Sequence, residues 1–159
     1  MGIPVFLAEL RELVGHRPLW LSGVGVVPVD EDGRVLLGRR ADNGEWSLVG
    51  GIVDPGEQPA DAAVRECLEE TGVTVLPEAL TSVTVSPVIQ YPNGDHAQYL
   101  ELTFRCRPLA GEARVNDDES LEVGWFHPDA LPELDASARK RIELALAGNS
   151  TAYFELGES

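Results

Sequence analysis

The chain is short of cysteine, histidine and positive charge, and each shortage argues against a class of function. It has 2 Cys and 3 His among 159 residues. Cys67 and Cys106 stand where the pattern wants an apolar residue and lack the spacing of a thiolate metal site. They read as buried, reduced thiols of a cytoplasmic protein. His16, His96 and His127 are scattered singly, so none is expected to bind metal or act in catalysis. Against 27 Asp and Glu there are 12 Lys and Arg, for a formal net charge of −15. Such a surface argues against nucleic acid or anionic membrane as a partner, because neutralising phosphates needs basic residues. A small phosphorylated ligand stays open, provided cations bind with it. Long apolar runs are also missing, so no segment approaches membrane-spanning length. The opening MGIPVFLAELRELVG has no basic start, and Glu9 and Arg11 interrupt it, as in an amphipathic helix rather than a signal peptide. Phe6 breaks the myristoylation pattern that an initial Met-Gly would begin.

What remains is an ordinary globular balance, 43% hydrophobic and 25% charged, at a length that suits one domain with a proper core. Phe6, Leu10, Leu13 and Val14 recur at helical spacing, with Gly15 as a stop. Residues 19–29 and 34–40 read as two strands of a hairpin turned by DEDG, followed by a polar loop, ADNGEW. Residues 59–71 form the best-defined helix, with Pro59 at its first position and Gly72 past its end. Residues 73–75 and 80–91 are extended. The PNGD turn returns the chain as a strand over 96–107. A short strand over 121–126 and a helix over 135–148 complete the order. Without regular βαβ alternation this is α+β, helices on a mixed sheet. We expect an N-terminal helical extension (1–18), a main domain (19–148) and a tail (149–159) in which Tyr153 and Phe154 are able to dock.

The helix 59–71 carries Glu66, Glu69 and Glu70 within one turn, with Glu57 and Asp61 nearby. Like charges three and four apart repel, so the arrangement costs stability unless something positive sits among them. One explanation is a solvated acidic face, with Ala60, Ala63, Val64, Cys67, Leu68 and Thr71 buried opposite. The other is a site for hard divalent cations, which take carboxylate oxygens.

The surrounding residues resemble a known motif. Gly51, Glu57 and then RECLEETGV from Arg65 to Val73 match the Nudix box at every charged and glycine position. Cys67 stands where an aliphatic residue is usual. WSLVGG is similar to the family's lead-in, with Val49 replacing a proline, and DDESLEVGWF is similar to its later acidic strand. The resemblance covers roughly residues 20–147 and implies a Nudix-type α/β/α sandwich around a mixed β-sheet. It implies a MutT-like pyrophosphohydrolase that uses Mg²⁺, with Mn²⁺ as a substitute. The substrate would be a nucleoside diphosphate linked to another moiety, either an NTP or dNTP or an NDP-sugar such as ADP-ribose, cleaved by water attack. The alternatives are a noncatalytic nucleotide-sensing module and a Nudix-fold isomerase of isoprenoid diphosphates.

By the same resemblance, Glu66 and Glu70 are the main Mg²⁺ ligands, and Glu69 is a third or holds a metal-bound water. The Gly50 carbonyl is a further member of the metal set, and Glu57 either stabilises the loop or binds metal through water. Arg65 orients a carboxylate; otherwise it is a plain i,i+4 partner of Glu69. The general base is either a box glutamate or Glu119, with Asp117 and Asp118 as solvated neighbours. Candidate substrate contacts are Arg39, Arg40, Trp46, Tyr91 and Asp95, although Trp46 suits the core better than a stacking role and the two arginines equally suit solvent. A homodimer is compatible with all of this.

Overall fold

The computed structural model describes residues 3–158. Met1 and Gly2, which open the N-terminal extension and the myristoylation pattern, lie outside that range, as does Ser159 at the end of the tail. Three helices, α1 (Val5–Val14), α2 (Pro59–Thr71) and α3 (Ala136–Leu146), surround one mixed sheet. Its strands are β1 (Leu19–Pro28), β2 (Val35–Arg40), β3 (Trp46–Ile52), β4 (Thr74–Val85), β5 (Ile89–Gln90), β6 (His96–Ala110), β7 (Ser120–Phe126) and β8 (Tyr153–Phe154).

The sheet order is β7-β2-β3-β1-β6-β4-β8, with β5 paired to β6. β1 runs parallel to β6 and antiparallel to β3. Residues 19–29 and 34–40 are therefore not a hairpin, contrary to the sequence expectation. One bridge, Val29 to Val35, joins them near the turn, and β3 inserts between them. Residues 46–52, which pattern reading left without an element, form the strand that spans both halves: Trp46 to Leu48 pair with β2 and Val49 to Ile52 with β1. The segments 73–75 and 80–91 belong largely to one long strand, β4, which absorbs Pro77 through register shifts. In the tail, Tyr153 and Phe154 add in parallel to β4.

Alternation along β1 separates two packing faces. Val24 and Val26 join Leu36 and Val49 against Ala62, Ala63 and Cys67 of α2. Leu21 and Val27 point the other way, Leu21 against Leu7 of α1 and Val27 against Ile142 and Ala145 of α3. The result is α2 on one side and α1 with α3 on the other. Each fully buried Val or Leu contributes roughly 1.5–3 kcal/mol relative to exposure. Cys67 and Cys106 belong to the first core, and burial pushes both thiols up to about 12. They stay protonated packing groups.

Helix ends follow their local chemistry. Gly72 takes a left-handed conformation, φ 73°, and its N–H donates to the Leu68 carbonyl. The Asp135 side chain accepts from the Ala138 N–H at the start of α3, satisfying a donor the helix itself cannot.

Candidate active site

α2 does not bury the face that hydropathy predicts. Its buried residues are Ala62, Ala63, Glu66, Cys67, Glu70 and Thr71, whereas Leu68 is 44% exposed. Glu66 and Glu70 retain 7% exposure each. A solvated acidic face is thereby ruled out for these two. They face the sheet where it has thinned to glycine. A Cβ on Gly51 would overlap the Glu66 carboxylate, and one on Gly50 would overlap the Val24 carbonyl. Gly51 lets helix and strand approach closely, and Gly50 lets β3 lie against the backbone of β1.

Glu119 completes the group. Carboxylate oxygens of Glu66, Glu70 and Glu119 lie within 4.8 Å of one another. The segment carrying Glu119 is tied down at both ends. Upstream, the Asn116 side chain donates to the Leu68 carbonyl, and the backbone N–H groups of Arg114 and Asn116 donate to the carbonyls of Thr71 and Glu70. The Thr71 and Glu70 carbonyls are ones the helix end leaves open, while the Leu68 carbonyl accepts from Asn116 in addition to the Gly72 N–H. Downstream, the Ala41 N–H donates to the Glu119 carbonyl at 2.9 Å. Nothing in the sequence pattern singled out Asn116, whose partners are 48 residues away.

The electrostatics are those of crowded anions. Burial, only partly offset by Arg65, raises Glu66 to about 7, and Glu119 and Glu69 add to the rise. Burial together with Glu66, Glu119 and Asp117 raises Glu70 to about 9, against a hydrogen bond from the Gly50 backbone. Glu119 is raised as well, by burial and by Asp117.

Arg65 is the cation among them. Its Nε and Nη2 donate to the two Glu57 oxygens at 2.7 and 3.0 Å. Nη1 donates to Glu66 at 2.8 Å and Nη2 to the Ile52 carbonyl at 3.1 Å. The Glu69 contact is the long one, 3.4 Å. Arg65 is thus the centre of a network rather than a plain i,i+4 partner. Glu57 also accepts from the Asp54 N–H, and the Arg65 fork holds its pKa below the usual range. Both its oxygens are occupied in fixing the loop before α2.

The family model for the NUDIX domain matches residues 20–145. The chain belongs to the Nudix family. It is 41% identical over 116 residues to a MutT-like protein of Streptomyces ambofaciens, covering 73% of this chain and 70% of that one. It is 33% identical over 130 residues to the nucleoside triphosphatase NudI of Escherichia coli O17:K52:H18, covering 76% and 92% of the two chains. An ADP-ribose pyrophosphatase from Streptococcus suis superposes with a TM-score of 0.65 at 26% identity, over 85% of this chain and 96% of that one. The protein is a Nudix hydrolase, built on the α/β/α scaffold its sequence implies.

The remaining candidates separate around this Nudix site. Arg40 is gripped by Asp42, which raises its pKa, and Glu70 adds to the rise. Arg39 instead donates to the Gly44 carbonyl and pairs with Glu122. Trp46 packs edge-on against Phe126, ring centroids 5.0 Å apart, within the α3-side core. Tyr91 shares a 2.5 Å hydroxyl hydrogen bond with Tyr99. Asp95 joins the β5–β6 turn to the N-terminal segment through His16 at 2.8 Å and Arg11 at 3.6 Å. Arg11 also donates to the His96 carbonyl, so α1 is fastened to the sheet. Among the described residues, no helix is long and apolar enough to cross a membrane.

Proposed function

We propose that this Nudix hydrolase is a divalent-cation-dependent nucleotide pyrophosphohydrolase acting on a nucleoside triphosphate. One observation carries the reading: two buried carboxylates and a third at 4.8 Å or less, served by a guanidinium that Glu57 already shares. Such a group is stable in its ionised form when cationic charge enters it. Its donors are hard oxygens, which fit Mg²⁺ or Mn²⁺. Glu66, Glu70 and Glu119 would hold the cation, with the Gly50 carbonyl beside them. Bound there, Mg²⁺ would neutralise the pyrophosphate oxygens and acidify a water molecule.

The protein's own groups do the rest. Arg65 holds Glu66 in place through Nη1 while Glu57 holds Arg65. The Gly50 N–H stabilises the Glu70 carboxylate. Glu119 stands within the carboxylate cluster rather than apart from it, which favours a ligand role over that of a separate base. Glu69, half-buried and only loosely held by Arg65 at 3.4 Å, is then the carboxylate available to take a proton from the attacking water. Arg40, close to Glu70, brings positive charge to the phosphate side. A triphosphate is favoured because the NudI relative, a named nucleoside triphosphatase, is 33% identical to this chain, against 26% for the ADP-ribose pyrophosphatase.

The test is incubation with a panel of nucleoside triphosphates and NDP-sugars in Mg²⁺, with the products identified. The expected products are a nucleoside monophosphate and pyrophosphate from a triphosphate. Release of two monophosphate products from an NDP-sugar, with triphosphates inert, would move the protein to the other substrate class. No hydrolysis of any member would overturn the reading.

A further inference from the structure

A cleft of about 270 Å³ lies on the opposite face of the sheet from the cation site, between β4, β6, β8 and α3. None of the three carboxylates of the cation site lines it. The family match ends at residue 145, yet Tyr153 and Glu155 belong to the cleft lining. The tail that follows the shared domain therefore builds part of this cleft. Lys140 of α3 fastens that wall. It donates to Tyr153 at 2.8 Å and to Glu155 at 2.7 Å, and its ammonium lies 4.5 Å from the Tyr153 ring centroid.

Among the described residues the lining holds four charged side chains, and the clasp uses two of them, Lys140 and Glu155. The other two are Glu101 of β6 and Arg141 of α3. Both are part-buried, and among the described residues neither side chain forms a hydrogen bond or ion pair with the protein. A long arginine on a helix ordinarily carries its head out to water. Arg141 instead lies against the sheet: a Cβ on Gly25 would come within 2.8 Å of its Nη1. Its Nε is enclosed without a partner, as are Thr103 Oγ1 and Ser82 Oγ of the neighbouring strands. Buried polar atoms are rarely left this way unless a ligand or water completes them.

The two unpaired groups define the ligand. Arg presents only donors and an ionised Glu only acceptors, so a molecule bearing one carboxylate and one ammonium answers both with charge-assisted hydrogen bonds. The volume lies below the roughly 300–1,000 Å³ of ordinary small-molecule pockets, which suits a small zwitterion and not a nucleotide. The rest of the lining includes an apolar group, Val85, Pro87 and Leu144, of which Val85 is 56% exposed. We propose that this cleft binds a free α-amino acid with an apolar side chain. Its carboxylate accepts from Arg141, its ammonium donates to Glu101, and its side chain covers Val85, Pro87 and Leu144. The site shares no residue with the catalytic group and stands whether or not the hydrolase reading does.

The experiment is calorimetric titration of the full chain with L-leucine and three analogues. Isocaproate lacks the ammonium, isoamylamine lacks the carboxylate, and glycine lacks the side chain. Wild type should bind leucine saturably and the two single-charge analogues about tenfold or more weaker, the worth of one charge-assisted contact. Glycine should also bind more weakly, for want of apolar contact. Glu101→Gln should weaken leucine by about the same tenfold and leave isocaproate unchanged, whereas Arg141→Gln should weaken both. Thermal melting shows whether each variant is folded; if Arg141→Gln is not, the analogue series on wild type still decides. Glu101→Gln should keep the wild-type rate of nucleotide hydrolysis, and a loss of that rate in the folded variant would overturn the separation of the two sites. No saturable leucine binding by wild type, an analogue that binds as tightly as leucine, or leucine affinity that survives Glu101→Gln would each overturn the proposal.

Discussion

Gly51 of β3 and the Glu66 carboxylate of α2 occupy adjoining space so closely that no side chain fits between them. The strand's missing Cβ is what lets a buried carboxylate stand against the sheet. Gly51→Ala must push Glu66 or the strand aside. Since misplacement of a reacting geometry by about 1 Å costs on the order of a hundredfold, kcat/KM should fall by about that factor while the far-ultraviolet circular dichroism stays native. Activity within about twofold of wild type would show that Glu66 has room to move without consequence.

Glu66→Gln and Glu70→Gln should each remove nearly all hydrolysis. Both residues are buried and carry raised pKa values through burial, so replacing either by a neutral isostere also relieves repulsion. The melting temperature of the metal-free variants should therefore hold or rise. Near wild-type turnover at saturating Mg²⁺ in either variant would remove that residue from the site.

The same shifts set a pH dependence for the metal-free protein. Glu66 at about 7 and Glu70 at about 9 stand above their ordinary value of 4.5. The folded state therefore holds protons that the unfolded chain has already released. This contribution to stability is fully present below pH 4.5 and is lost as pH rises through the two folded values. Melting scans without metal should show a falling midpoint from pH of about 5 to about 9. Glu70→Gln should flatten the upper part of that fall. A midpoint that climbs steadily over the window would contradict the assigned burial.

Asn116 and Glu119 test the loop that completes the cluster. Glu119→Gln should raise the Mg²⁺ concentration needed for half-maximal rate and lower kcat, because the carboxylate lies among the other two. Asn116→Ala frees the loop from the Leu68 carbonyl and should raise the Mg²⁺ requirement by about tenfold, as loss of outer-shell support typically does. Rate measurements across a Mg²⁺ titration check both. A fall in kcat with unchanged Mg²⁺ dependence for Glu119→Gln would return it to the role of a separate base.

Much of this site was legible in the chain, and the exceptions have physical reasons. The helix 59–71 was readable because Pro59, the apolar spacing and Gly72 agree. Its orientation was not, since Glu66 and Glu70 read as solvent-facing until a partner surface of glycine is known. β3 escaped notice for a related cause: Gly50 and Gly51 weaken strand character, yet they are required where Val24 and Glu66 crowd the backbone. With β3 unseen, β1 and β2 appeared to be direct neighbours. The anchoring of Glu119 through Asn116 and Ala41 depends on contacts distant in sequence, which no local pattern announces.

The central claim is that the buried carboxylates bind a divalent cation. Isothermal titration of the nucleotide-free protein with Mg²⁺, and with Mn²⁺ in parallel, measures that directly. The account predicts saturable binding by wild type, weakened by Glu119→Gln and abolished by Glu70→Gln, together with a melting temperature that rises with cation concentration in wild type. Absence of saturable binding in wild type, or binding that Glu70→Gln leaves intact, would contradict it.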